Sequence, residues 1–179
     1  LLKEMGYMVA VNLMQIADRT DDEIERVAKM VSDSPVDIFY FADSLGSLNP
    51  GKTAEIIRVI RKSWKGEIGF HAHDNMCRGL DNTIQAIKEG VLWVDSTVTG
   101  MGRGPGNVST EYLAIELEPY RNVKINPTKL YSLVYRYFKP MQNQYRWGTN
   151  PFYYLAGKKG IHPTYVQEML QDARYSEED

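Results

Sequence analysis

Two of the three histidines in this 179-residue chain fall within one short stretch, Gly69-Phe70-His71-Ala72-His73-Asp74-Asn75. On a strand, residues two apart share a face, so His71 and His73 point one way while Ile68, Phe70 and Ala72 point the other. The apolar face would meet covering helices. That leaves two imidazoles at the C-terminal end of a strand, where α/β folds place their chemistry. Two neutral imidazoles side by side either hydrogen-bond in a core or bind one divalent metal through their ring nitrogens. A metal would need at least one further carboxylate or amide. Cys77, the single cysteine, lies four residues past His73, and at a helix start it reads as a packing residue more readily than as a third ligand.

A second stretch, Gly100-Met101-Gly102-Arg103-Gly104-Pro105-Gly106-Asn107, follows a strand and precedes a helix. It is not a dinucleotide fingerprint, because Pro105 takes the place of the last glycine. Backbone N–H groups of such a loop can still hold a carboxylate or phosphate, which makes Gly102, Gly104 and Gly106 candidate binding residues. Arg103 would add a charged clamp. Gly46-Ser47-Leu48-Asn49-Pro50-Gly51-Lys52-Thr53 satisfies the P-loop pattern in full. However, Pro50 has no N–H at a point where the loop needs donors, and Asn49-Pro50-Gly51 reads as an ordinary helix start.

These stretches must be positioned by a regular scaffold. Met8–Met14, Asp37–Ala42, Glu67–His71 and Val91–Val94 read as buried strands, nearly continuous in apolar residues as in parallel sheets covered on both faces. Between them, Ile24, Val27, Ala28 and Val31 lie at helical spacing behind a Thr20–Glu23 capping box. Ile56, Ile57 and Ile60 mark a second helix behind Asn49-Pro50, and Leu80, Ile84 and Ile87 mark a third closed by Gly90. A shorter helix should follow Ser109. Leu1–Met5 reads as the last turn of a helix stopped by Gly6. The order is βαβαβαβα, the pattern of βαβ winding. We place this unit at residues 1–118. Residues 119–179 form a helical extension that holds 12 of the 20 aromatic residues, with helices predicted from Asn126-Pro127 to Phe138 and from Pro163 to about Arg174.

The composition is that of an ordinary globular protein, with 43% hydrophobic and 25% charged residues and a formal charge of −2. Near-neutral charge argues against a nucleic-acid surface. No apolar run reaches the length of a membrane helix, and no signal-peptide pattern opens the chain. A lone cysteine cannot form an internal disulfide, so a reducing, cytoplasmic setting is the expectation.

Taken together, Phe41-Ala42-Asp43-Ser44-Leu45-Gly46, then His71-Ala72-His73-Asp74-Asn75 with Gly79 and Asn82, then Val94-Asp95-Ser96-Thr97, the glycine loop with Asn107, and Glu111 resemble the metal-dependent pyruvate aldolase and lyase superfamily. That superfamily includes hydroxymethylglutaryl-CoA lyases and the isopropylmalate and homocitrate synthases. The likeness is greatest to the 4-hydroxy-2-oxovalerate aldolases and covers roughly residues 6–118. The synthases favour His-x-His-Asn-Asp, whereas this chain has Asp74 before Asn75. The lyases carry a catalytic cysteine in the glycine loop, and this loop has none.

The resemblance implies a (β/α)₈ TIM barrel of which this chain supplies strands 5 to 8, the C-terminal half, followed by the helical extension. A complete barrel needs about 250 residues. It implies His71, His73 and Asn107 as metal ligands, Asp43 and Thr97 near strand ends around the pocket with Asp43 as a catalytic residue, and Tyr153 or Tyr154 as the tyrosine that assists proton transfer. The cofactor would be Mn²⁺, with Mg²⁺ or Co²⁺ as alternatives. The reaction implied is cleavage of a 4-hydroxy-2-oxo acid to pyruvate and an aldehyde, the metal acting as Lewis acid toward the forming enolate. The family's first-strand Asp and Arg have no counterpart here, so the chain alone is expected to be inactive. A homo-oligomer and an aldehyde dehydrogenase partner are further expectations. Alternatives are a Claisen-type acyltransferase and a P-loop nucleotide-binding protein.

Overall fold

A computed structural model describes residues 1–122, 124–174 and 176. Four strands, β1 (Ala10–Leu13), β2 (Ile38–Asp43), β3 (Glu67–Ala72) and β4 (Trp93–Val94), form one parallel sheet in the order β1-β2-β3-β4. Helices α1 (Asp21–Ser32), α2 (Pro50–Ser63) and α3 (Gly79–Lys88) connect them, and α4 (Thr110–Glu116) follows β4. Each strand is thus followed by a helix, as the βαβ pattern requires.

The core lies where the alternation of β2 and β3 puts it. Phe39, Phe41, Ile68 and Phe70 are fully buried against Ile24, Ile56, Ile57 and Ile60 of α1 and α2. Phe41 and Phe70 stack with ring centroids 4.6 Å apart. Residues 68, 70 and 72 therefore face the helices, which turns 69, 71 and 73 to the opposite side, as expected from the sequence.

Helix α1 starts at a capping box: the Glu23 N–H donates to Thr20 Oγ1 (3.3 Å), and the Thr20 N–H donates to Glu23 Oε2 (2.9 Å). Thr20→Ala should cost about 1 kcal/mol, read as a lower urea midpoint with an unchanged slope.

Several details differ from the sequence expectation. β1 is not covered on both faces: Ala10, Val11 and Asn12 are exposed and only Leu13 is buried, because β1 is an edge strand paired with β2 alone. β4 is only two residues long, with Leu92 and Trp93 exposed. Leu1–Met5 forms hydrogen-bonded turns rather than a helical segment, ending at Gly6 with φ +83°.

The extension begins with α5 (Glu118–Arg121) and α6 (Pro127–Leu133). α6 does not stop at Phe138; it passes through a π-helical turn at Val134–Phe138 into α7 (Lys139–Tyr145). Pro140 accounts for the widened turn, since it lacks an N–H and its ring clashes with the carbonyl four residues earlier. α8 (Pro151–Lys159) has no counterpart in the sequence expectation, and α9 (Pro163–Gln171) ends three residues before the expected boundary.

Hydrogen bonds tie this extension to the C-terminal side of the sheet. Trp147 Nε1 donates to Thr99 O (3.0 Å), Gly148 N to Gly104 O (2.9 Å) and Thr149 Oγ1 to Asn75 O (2.6 Å). Gly157 of α8 packs where a Cβ would meet Met76 and Asn75 at 3.0–3.1 Å. Among the described residues no helix is long and apolar enough to cross a membrane.

Candidate functional site

The end of β3 brings His71 and His73 together, their ring centroids 5.1 Å apart at an interplanar angle of 73°. An isolated antiparallel bridge pairs His73 with Asn107, so the glycine loop is hydrogen-bonded directly to the histidine strand. Asp74 N donates to Gly106 O (3.1 Å), and Asn107 N donates to Gly100 O (3.0 Å), which closes the loop on itself. These contacts require close backbone approach. Gly106 has φ +81°, and a Cβ there would collide with the Gly100 carbonyl oxygen.

His71, His73 and Asn107 line one cavity of about 480 Å³ together with Asn12, Ser44, Asp95, Arg103 and His162. Asn12 and Ser44 come from the ends of β1 and β2, so the cavity opens at the carboxyl ends of the parallel strands, where this class of sheet places ligands. Burial first, and then the charges of His71, Arg103 and His162, pull the His73 imidazole down to about 4. It is therefore neutral at physiological pH, the state in which imidazole coordinates a metal.

The donor set suits a divalent cation in kind. His73 Nδ1 is buried with no hydrogen-bond partner. The Asn107 amide nitrogen donates to Met101 O (3.1 Å), which leaves its carbonyl oxygen as the free ligand atom. His71 Nδ1 lies 2.9 Å from Asp95 Oδ2, so its Nε2 remains available. The His71 hydrogen bond in turn holds the Asp95 carboxyl below the usual carboxylate range. Two imidazoles and an amide are an incomplete shell. Among the described residues no group of three His, Cys, Asp or Glu side chains is placed to hold a metal ion.

The remaining candidates are distributed around this centre. Asp43 does not line the cavity. It is fully buried, and its two oxygens accept from Ser47 N (3.1 Å) and Leu48 N (3.0 Å), bracing the β2–α2 loop. Thr97 is likewise absent from the wall, its hydroxyl buried without a partner. Arg103 borders both this cavity and a second one of about 430 Å³ that Gly102, Gly104, Tyr153, Arg146 and Gln171 help to line. Its Nη1 donates to Thr164 Oγ1 (3.0 Å). Tyr153 is buried, with its ring against Gly104, whereas Tyr154 is exposed and lines neither cavity. Cys77 is exposed. The P-loop-like segment serves as a helix start: Asn49 Oδ1 accepts from Lys52 N (3.0 Å), and Lys52 Nζ pairs with Glu55 (3.3 Å) and Asp21 (3.6 Å).

Sequence reasoning missed His162. It caps α9, its Nδ1 accepting from Thr164 N (3.4 Å), and reaches the cavity only because the extension folds back over the sheet. Nothing local in the sequence signals that return.

The HMGL-like family profile matches residues 1–134. The chain is 34% identical over 116 residues to the 4-hydroxy-2-oxovalerate aldolase of Brevibacillus brevis, covering 65% of this chain and 34% of that protein. It is 36% identical over 118 residues to the protein of the same name from Pelotomaculum thermopropionicum, covering 66% and 35%. It thus spans about a third of the length of the curated relatives it matches. Among solved structures, the N-terminal domain of a putative aldolase from Bacteroides vulgatus superposes with a TM-score of 0.85 at 31% identity, over 97% of this chain and 57% of that one. The HMG-CoA lyase of Brucella melitensis superposes with a TM-score of 0.67 at 19% identity, over 80% and 55%, a likeness of fold.

Proposed function

The chain belongs to the HMGL-like family, and from that footing we propose that it carries part of the active site of a divalent-metal-dependent carbon–carbon lyase. The substrate class is a 4-hydroxy-2-oxo acid, cleaved to pyruvate and an aldehyde. The observation that carries the reading is the placement of His71 and His73 beside Asn107 in one cavity at the carboxyl ends of parallel strands. The names of the aldolase relatives support the reaction class.

In this reading the four βα units correspond to the last four of an eight-unit barrel. The exposed outer edge of β1 is where the preceding strand would pair. A cation held by His71, His73 and Asn107 would supply Lewis acidity toward the carbonyl and carboxylate oxygens of a 2-oxo acid. Arg103, which lines this cavity, can pair with the substrate carboxylate. Asp95 is engaged with His71, so a further anionic ligand must come from outside the described residues, and turnover is not expected from this chain alone.

Calorimetric titration with Mn²⁺ tests the metal reading. The chain should bind it, and His71→Ala/His73→Ala should abolish the heat. Equal binding by both would remove the histidine pair from the site.

A further inference from the structure

We propose that Asp95, braced by Tyr40 across Gly69, is a positioning residue that fixes the tautomer of His71, keeping hydrogen on Nδ1 and leaving Nε2 as the only ring nitrogen free to ligate. The proposal rests on the reading of His71 as a ligand, and it assigns work to three residues which that reading leaves idle.

Gly69 occupies the third position of β3, mid-strand, where glycine weakens a sheet and marks close approach by a neighbour. The neighbour is Tyr40. The register sets Tyr40 of β2 beside Gly69, and Gly69 beside Trp93 of β4. A Cβ on Gly69 would collide with the Tyr40 ring at Cε2, Cδ2 and Cζ. The tyrosine ring therefore lies over β3 at the one residue that leaves room for it.

Its hydroxyl emerges on the far side and donates to Asp95 Oδ1 (3.2 Å), just beyond β4. The other carboxylate oxygen, Oδ2, faces His71 Nδ1 at 2.9 Å. Asp95 N donates to Phe70 O (3.3 Å), which ties its backbone to β3 next to His71. Each oxygen thus has one partner, and the carboxylate cannot turn toward one without leaving the other.

An ionised carboxylate only accepts. The hydrogen must therefore sit on His71 Nδ1, and the lone pair on Nε2. Histidines that ligate metals commonly show this outer partner, and its loss typically weakens metal affinity about 10–100-fold. The pair is partly exposed, with side-chain exposures of 28% for His71 and 47% for Asp95. Exposed ion pairs add little to stability. Removing Asp95 should therefore leave the fold in place while changing the imidazole, a separation that a merely structural role would not give.

The test uses the full chain without metal, at mildly alkaline pH, and reads the ring nitrogens by two-bond ¹H–¹⁵N correlation NMR. His71→Gln assigns the signal. The wild-type chain should show the Nδ1–H tautomer at His71. Asp95→Ala should shift it toward the Nε2–H form that free imidazole side chains favour in water, with backbone amide dispersion retained. Tyr40→Phe, which leaves the carboxylate one partner, should shift it part of the way. An Nε2–H tautomer in the wild-type chain overturns the proposal, and so does an Asp95→Ala spectrum identical to wild type. The wild-type spectrum alone is decisive should the variant fail to fold. Mn²⁺ affinity should fall about 10–100-fold in Asp95→Ala. A chain that binds no Mn²⁺ yet shows the Asp95-dependent tautomer supports the hold on His71 and counts against the metal reading only.

Discussion

Gly106→Ala should destabilise the chain by on the order of 4 kcal/mol, the sum of a backbone strain of about 1–3 and an overpacking cost of about 1–3 kcal/mol. The new Cβ would collide with Gly100 O, a backbone atom that can move only with its loop, and the residue would be held at φ +81°. For a chain of this size the loss corresponds to a melting temperature about 8–16 °C lower. Gly90 provides the control: its φ is +86°, but nothing lies within 4 Å of where a Cβ would stand, so Gly90→Ala carries the strain without the collision. That variant should lose the strain alone, about 1–3 kcal/mol. Equal losses in thermal melts of the two variants would show that Gly106 is required only for its backbone angle. The collision has a functional side as well. Gly106 O accepts from Asp74 N, and Asn107 N donates back to Gly100 O. A shift here pulls Asn107 away from His73.

The same loop shows what a sequence can reveal and what it cannot. The alternation Ile68, Phe70, Ala72 against His71, His73 is a local property of one strand, and the structure keeps it. Asn49-Pro50 and Asn126-Pro127 are legible as helix starts for a local reason too: each asparagine accepts from the N–H three residues on, at 3.0 and 3.1 Å. Asn150-Pro151 carries the same signal, with Tyr153 N donating to Asn150 Oδ1 at 3.0 Å, but the surrounding aromatics obscure the helix it opens. The exposure of β1 is illegible, since an apolar run does not say whether a neighbour covers it. The roles of His162, Tyr40 and Asp95 escape the sequence for one reason. Each acts through a contact spanning two or more elements, and no spacing along the chain encodes that. Asp43 errs the other way: its place at a strand end suggests the pocket, and only the hydrogen bonds to Ser47 and Leu48 show it turned into the loop.

Two buried groups should give this chain opposing responses to acid that nearly cancel. Burial pushes the Asp43 carboxyl up to about 6, against the backbone N–H donors of Leu48, Ser47 and Gly46. Its ordinary value is 3.8, so between about pH 6 and 4 the folded chain binds this proton more readily than the unfolded chain. Stability from Asp43 therefore rises as pH falls through that window, by about 3 kcal/mol in total. His73 does the reverse. Its folded value of about 4 lies below the ordinary 6.5, so the unfolded chain takes the proton first. Stability from His73 is lost as pH falls from about 6.5 to 4, again by about 3 kcal/mol. Asp43→Asn removes the first response and should unmask the second, giving a profile that drops in acid. His73→Gln should give a profile that rises. The carboxamide introduced by Asp43→Asn has one acceptor oxygen where the carboxylate has two. Losing an acceptor and losing a buried charge move its level in opposite directions, so the slope rather than the level carries the comparison. Denaturant midpoints measured on metal-free protein from about pH 7 to 4 would decide, and parallel profiles for the two variants would refute the opposition. A bound cation would steepen the loss of stability in acid, because metal and proton compete for the ligating imidazoles.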